Sequence, residues 1–391
     1  MDDHAPVEPQ RGPARARLSE LALLFLRLGC TAFGGPAAHV AMMEREVVRR
    51  RRWISPERFL DMMGATNLIP GPSSSELAVF IGHEQAGPLG LLVAGACFVL
   101  PAALLTGAIA WAYVRFGALP RVGGVLYGIK PVVIAIVVQA LWGLAPKAIR
   151  RSRWMAGLGL CAGVAAALRV DALAVLVGTG SLSVVVHAAS TREPGGDGRR
   201  LLVLGPVAAT ATAPVASVGL GVLFLTFLKL GAVVFGSGYV LLAFLRADLV
   251  DRLHWMTESQ LIDAVAVGQV TPGPVFTTAT FIGYVLAGVP GAVVATVGIF
   301  LPGFVLVAAI RPIVTRVRRS PLAGAFLDGV NVASLALMAV VTVQLGRAAL
   351  VDGLTALLAA ASALLLLRFE INSAWLVAAG ALVGVAAQGL R

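Results

Sequence analysis

Charge is what this chain has least of. Only 13% of its 391 residues are Asp, Glu, Lys or Arg, while 58% are hydrophobic; soluble domains run nearer ~25% and ~45–50%. That composition excludes an ordinary soluble fold. Cysteine is almost missing as well. Cys30, Cys97 and Cys161 stand alone in apolar surroundings, so there is neither a disulfide framework nor a CxxC metal pair, and packing is their expected role. HExxH, a P-loop, GxSxG and any His/Cys cluster are absent, which removes the common hydrolytic, metal-dependent and nucleotide-driven chemistries. No catalytic residue, metal or cofactor is expected, and any transport has to run on gradients or membrane potential. Ten-residue segments of alternating hydrophobicity are also lacking, which excludes a transmembrane β-barrel.

What is there is apolar length. Val122–Pro146, Val218–Leu245 and Leu322–Gly346 are among the runs long enough to cross a hydrocarbon core of ~30 Å as helices. The fold class read from this is an all-α polytopic membrane protein, with the lipid bilayer as its surroundings. The net charge of +11 implies no nucleic-acid partner, because the arginines lie in short loops between apolar segments, as the positive-inside bias requires. Residues 1–17 carry three acids and three arginines and no apolar stretch, so they read as a polar tail rather than a signal peptide.

The chain is written twice. "FLRLGCTAFGG" at Phe25–Gly35 returns as "FLKLGAVVFGS" at Phe227–Ser237, an offset of 202 positions. The same offset pairs Trp53 with Trp255, Asp61 with Asp263, Asn67 with Gln269, and Pro70-Gly71-Pro72 with Pro272-Gly273-Pro274. One residue then drops out, and "FIGHEQAG" (Phe80–Gly87) pairs with "FIGYVLAG" (Phe281–Gly288). The expected organisation is a tail at 1–17, an N-terminal membrane repeat at 18–190, a linker and unplaced apolar segment at 191–217, and a C-terminal repeat at 218–391. Glu44–Arg58 holds six arginines where its counterpart Arg246–Gln260 holds two, and Arg115–Arg121 holds two where Arg311–Pro321 has four. Loops rich in one half are poor in the other, so the repeats are expected to be inverted, as in many secondary transporters. Inversion needs an odd number of crossings per half. With about six apolar segments in each, one segment is expected not to span, and the one holding Pro-Gly-Pro is the first suspect.

"NLIPGPSSSE" (Asn67–Glu76) and "QVTPGPVFTT" (Gln269–Thr278) explain themselves in those terms. Proline removes a donor and glycine permits a bend, and freed backbone is tolerated at membrane depth only within protein or around a polar cavity. A discontinuous helix restarting after Pro72 or Pro274 aims its N-terminal amides and positive dipole end at the break, which makes an anion site. The candidate anion-binding set is Pro70, Gly71, Pro72, Ser73 and Ser74 with Pro272, Gly273, Pro274 and Thr277. Two further breaks, at Gly34-Gly35 and Gly236-Ser237, join it. So do the matched cations Arg27 and Lys229, which contact anion, pair with Asp61 and Asp263, or snorkel to the interface. Asn67 and Gln269 line the cavity or bond to broken backbone. His39, Asp61, Glu76 and Asp263 are proton-coupling candidates, although Glu76 also reads as complementing its own helix N-terminus. His83 and Glu84 read as a loop before "AGPLG".

These motifs resemble the chromate ion transporter family. "AFGGPAAHVAMMERE", "RRWIS" and "NLIPGP" look like its amino-terminal signature, "VVFGSGYVLLAFL" and "VGQVTPGPVFTTATFIGY" like its carboxy-terminal one. The resemblance runs from Leu18 to the end. It implies a long two-domain bacterial inner-membrane protein that exports chromate and confers resistance, with chromate or a similar oxyanion as partner and a homodimer as a possible assembly. Chromate is a tetrahedral dianion close to sulfate in shape and charge. A transporter of another oxyanion such as sulfate, or a duplicated membrane-embedded enzyme or scaffold, are the competing readings.

Overall fold

The structure is a computed structural model that describes residues 14–32, 35–66, 69–117, 119–149, 153–190, 218–235, 240–310, 320–369, 371 and 373–389. Gly34, Asn67, Gly236 and Ser237 lie outside the described residues, as do the tail to residue 13 and the linker to residue 217. Among the described residues all regular structure is helical. In chain order the first half holds α1 (Ala14–Thr31), α2 (Gly35–Glu44), α3 (Pro56–Thr66), α4 (Ser73–Phe116), α5 (Pro120–Ile149), α6 (Arg153–Ala167) and α7 (Ala172–Ser190). The second half holds α8 (Leu220–Val233), α9 (Leu241–Leu245), α10 (Glu258–Val270), α11 (Thr278–Ile310), α12 (Pro321–Ala349), α13 (Gly353–Phe369) and α14 (Ser373–Gly389).

The repeated words fold into repeated geometry. α4 is two helices joined at Ala86 (φ −141°) and Gly87 (φ 63°, ψ −151°). α11 turns in the same way at Ala287 (φ −148°) and Gly288 (φ 62°, ψ −152°). That left-handed backbone is one only glycine adopts at low cost. At each turn two glycines meet backbone to backbone: a Cβ on Gly82 or Gly90, or on Gly283 or Gly291, would press on its partner's carbonyl. The long arms therefore fold back against the short ones.

The short arms also fold back on the helices before them. Arg58, in the first turn of α3, bonds Glu84 (Nη2–Oε2 3.1 Å), and the Gln85 amide nitrogen donates to the Trp53 carbonyl at 3.1 Å. Both lie at the far end of the short arm, so residues 56–85 enter and return as a hairpin with Pro70-Gly71-Pro72 at its tip. A short arm of residues 73–85 is about 20 Å long at ~1.5 Å per residue, less than a hydrocarbon core. The hairpins start from matched caps. Ser55 accepts from the Arg58 amide ahead of Pro56, and Thr257 exchanges a reciprocal box with Gln260.

Each first helix packs on the long arm of its own half through a glycine: a Cβ on Gly29 would lie 2.6 Å from the Phe98 carbonyl, and Gly231 faces the Ile299 carbonyl in the same manner. Small residues permit this close approach between apolar helices. Between halves the elements interlock, with α4 on α11, α5 on α13 and α14, and α12 on α6 and α7. Leu89, Leu92, Leu100 and Leu104 of α4, and Val289, Val293, Val297 and Val305 of α11, are exposed on the outside, an apolar rim that suits lipid and not water. Among the described residues five helical stretches, Ser73–Phe116, Val122–Pro146, Ala172–Ser190, Val275–Ala309 and Pro321–Ala349, are long and apolar enough to cross a membrane.

Candidate functional site

Each tip is joined by a backbone hydrogen bond to the end of the other half's first helix. The Gly71 amide donates to the Val234 carbonyl at 2.7 Å, and the Gly273 amide donates to the Ala32 carbonyl at 2.9 Å. Donors and acceptors are both related by the offset of 202, so each hairpin is clamped to the end of the first helix of the other half. Both glycines have positive φ, 131° and 92°, which fits the backbone freedom the sequence asks for. Their amides, however, are engaged in the crossed bonds and do not reach for a ligand. The donors that remain for an anion lie one step further on. In the first tip the amides of Ser75 and Glu76 close onto the Pro72 carbonyl, leaving the Ser74 amide as a first-turn donor with no intrahelical acceptor.

His39 is buried beside this turn. Its Nε2 lies 3.0 Å from the Ala32 carbonyl and its Nδ1 3.2 Å from the Ser74 hydroxyl. Because a carbonyl only accepts, Nε2 carries the proton, and in the neutral ring Nδ1 accepts from Ser74. The Ala32 carbonyl thus gathers both His39 and the opposite tip. Glu76 lies deeper, 1% exposed, with neither carboxylate oxygen hydrogen-bonded among the described residues; the Ser75 hydroxyl is also unpartnered.

The second tip is closed differently. Thr277 donates to the Pro274 carbonyl at 2.9 Å, and the Thr106 hydroxyl reaches the Thr271 and Thr277 hydroxyls at 3.4 Å each. Gln269 faces a small apolar cavity beside Val275 and Thr278. Gly35 (φ 77°) begins α2.

The matched cations part company. Arg27 sits on an exposed face of α1. Lys229 is half-buried and lies 3.1 and 3.0 Å from the two oxygens of Asp248, which Arg252 shares at 2.9 Å. The pairing of Lys229 with Asp263 offered by the sequence is not made: Asp263 lies 3.3 Å from Lys130 and accepts from the Tyr113 hydroxyl at 3.0 Å. Asp61 is exposed on α3. His83 and Glu84 belong to the short arm of α4 and not to a loop.

Sequence reasoning missed Asp248, Arg246, Lys130 and Thr106. Lys130 carried a usable signal, being a lone cation inside the apolar run Val122–Pro146; Thr106 carried none. Arg246 is buried between Asp251 and Glu258. With Arg169, Asp171, Asp248, Asp251 and Arg252 it lines a charged cavity away from the tips. The open cavity and the convergent tips therefore do not coincide. The tips are the stronger candidate, because Arg246 and Arg252 are already neutralised by acids, whereas the first tip has unmatched polar groups.

The profile of a family described as Chromate transporter matches residues 19–184 and again 221–385. The chain belongs to the chromate transporter family. It is 33% identical to a chromate transport protein of Cupriavidus metallidurans, over 95% of this chain and 94% of that one. It is likewise 33% identical to a probable chromate transport protein of Synechococcus elongatus (86% of each chain), and 34% identical to a chromate transport protein of Pseudomonas aeruginosa (84% and 81%). No solved structure matches. Family membership and the apolar helices together make this an all-α, multi-pass membrane protein of a transporter family, in keeping with the expectation of a non-enzyme.

Proposed function

We propose that this chain is a secondary transporter that exports chromate across the bacterial inner membrane and thereby confers chromate resistance. The observation that carries the reading is the pair of crossed hydrogen bonds, Gly71 to Val234 and Gly273 to Ala32, in a chain of this family. Two Pro-Gly-Pro tips, each bonded to the first helix of the other half, are what two repeats related by a two-fold axis produce. The opposed arginine bias of matching loops orients that axis in the membrane plane. On this reading the repeats 18–190 and 218–391 are inverted, and the hairpins 56–85 and 258–286 are re-entrant. Discontinuous helices are accommodated because the freed amides bond across the repeats.

A tetrahedral dianion is then held near the first tip. The positive end of the 73–85 arm, the Ser74 amide and the Ser75 hydroxyl supply donors without a full compensating charge. Sulfate shares chromate's shape and charge, so it is the competitor of choice. Everted membrane vesicles containing the chain should accumulate chromate when energised, with sulfate competing weakly. Vesicles that take up sulfate and ignore chromate would replace the substrate. Vesicles that take up neither would remove the transporter reading.

A further inference from the structure

Glu76 lies over the turn on which the proposed anion site is built. It lies in the first turn of the 73–85 arm, and its side chain folds back over the turn. A Cβ on Gly71 would press against its Oε1, and a Cβ on Gly303 would lie 3.5 Å from its Cγ and Oε1. The carboxylate is therefore sandwiched between the Pro-Gly-Pro tip of one half and the long arm of the other. It is buried, and neither oxygen has a hydrogen-bond partner among the described residues. Among the described residues no salt bridge reaches it.

Other titratable groups on the surrounding elements are occupied or turned away. On α2, His39 is taken up by Ser74 and Ala32, and on α8, Lys229 is taken up by Asp248. Glu20, Arg27 and Cys30 on α1, and Glu57, Arg58 and Asp61 on α3, are exposed. On α4 itself Glu84 pairs with Arg58, and His83 precedes it at the far end of the short arm. Tyr284 is the titratable side chain that α11 brings. Among the described residues, the positive potential at a negative carboxylate in such a place comes from the N-terminus of its own helix.

We propose that the Glu76 carboxylate is a tethered anion that occupies the oxyanion site, and that substrate binds only when Glu76 takes up a proton and withdraws. This rests on the anion site proposed above and names its coupling. Two negative groups cannot share one helix end in a low-dielectric interior. Occupancy by the dianion and protonation of Glu76 are therefore linked, and by linkage each promotes the other. The proton comes from hydronium on the side to which the tip is open: one of its O–H bonds breaks, leaving water, as an O–H bond forms on the carboxylate. When the substrate leaves, the proton is released and the carboxylate returns to the tip. The closed tips of this conformation are the tethered state.

The test is calorimetric titration of chromate, and separately sulfate, into purified wild type, Glu76→Gln and Glu76→Ala at pH 6 and pH 8. Two buffers of different ionisation heat count the protons taken up. Chromate itself gains a proton in mildly acidic solution, so the difference between wild type and variant is decisive, and sulfate supplies the probe without that complication. The expected result is uptake of about one proton per oxyanion more in wild type than in either variant, a linkage of the kind one titrating group produces. Affinity should fall about tenfold per pH unit above the titration of Glu76 in wild type, and be flat with sulfate in the variants. If wild type and variants share one pH dependence and one proton count, the tether is overturned and the transporter reading stands. If the variants lose binding that wild type retains, Glu76 is a ligand and not a competitor, which also overturns it. If no protein binds either oxyanion, the anion site falls and the tether with it. Glu76→Ala guards against a folding defect peculiar to glutamine, and the wild-type proton count needs no variant.

Discussion

Alanine at the two tip glycines should separate a side chain that can yield from a backbone that cannot. Both positions have positive φ, 131° at Gly71 and 92° at Gly273, so Ala carries a backbone strain of ~1–3 kcal/mol at each. The surroundings then differ. At Gly273 the new methyl would lie 2.7 Å from the Ala102 Cβ and 3.3 Å from the Gly29 carbonyl, and neither moves without moving a helix. Overpacking of that kind costs a further ~1–3 kcal/mol. At Gly71 the methyl meets the end of the Glu76 side chain, which can rotate away. In thermal melts of detergent-solubilised protein, Gly273→Ala is therefore expected below Gly71→Ala, and both below wild type. The cause is checked by a double-mutant cycle. Glu76→Ala should relieve Gly71→Ala with a coupling of ~0.5–3 kcal/mol and leave Gly273→Ala unrelieved, whereas Ala102→Gly should do the reverse. Strict additivity of Gly71→Ala with Glu76→Ala would refute the placement of the carboxylate over the tip. Because the Gly273 amide is engaged in a crossed bond, loss of oxyanion binding in Gly273→Ala should track loss of stability.

Three more outcomes are expected. In a cysteine-free background, thiol labelling at positions 50 and 252, both exposed, should report opposite sides of the membrane with 50 cytoplasmic; labelling from one side would end the inverted arrangement. Lys229→Ala should impair export and cost on the order of 1–3 kcal/mol, since buried Asp248 keeps only Arg252, while exposed Arg27→Ala should impair export with stability within ~0.5 kcal/mol; wild-type resistance in both would remove the cations from the path. Glu76→Thr with Val307→Thr should rebuild in the first tip the hydroxyl pair of the second, giving a melting temperature at or above wild type and a protein that no longer takes up a proton with oxyanion; a lower melting temperature would mean the tips are not equivalent.

Much of the fold was legible because the chain states it twice. The offset of 202 that pairs Gly71 with Gly273 also pairs Ala32 with Val234, and these four residues make the central contact. The matched "AG" at Ala86-Gly87 and Ala287-Gly288 sits at the turns, just past the His83-Glu84 pair read from the sequence as a loop, and the backbone angles of the two turns agree within a few degrees. The destination of each tip was not legible. Local pattern gives a break and a helix start, but a backbone amide's acceptor across the molecule leaves no trace in composition, so the Gly71 and Gly273 amides read as ligand donors. The cations failed for a related reason. Arg27 and Lys229 occupy matching positions, and the second half gives its cation an acid, Asp248; at the corresponding position, 46, the first half has Glu46, which pairs with Arg50 and Arg51 instead.

Equivalent positions with unequal chemistry are where this duplicated chain departs from symmetry, and the departure is concentrated at the tips. With the one-residue shift after Pro-Gly-Pro, Glu76 corresponds to Thr277, Gly303 to Ala102 and Val307 to Thr106. In the second half Thr277 turns onto Pro274 and meets Thr106, so the hydroxyls of Thr106, Thr271 and Thr277 all have partners, and the tip is a closed structural joint. In the first half the place of Thr106 is taken by Val307, which has no hydrogen to offer. The longer acid at 76 needs the space that glycine at 303 leaves. A tip whose only task was closure would be served by the threonine arrangement at lower desolvation cost. Burying an acid and withholding its partner makes sense where the acid has to leave, because any hydrogen bond that stabilised it in place would oppose its displacement by substrate.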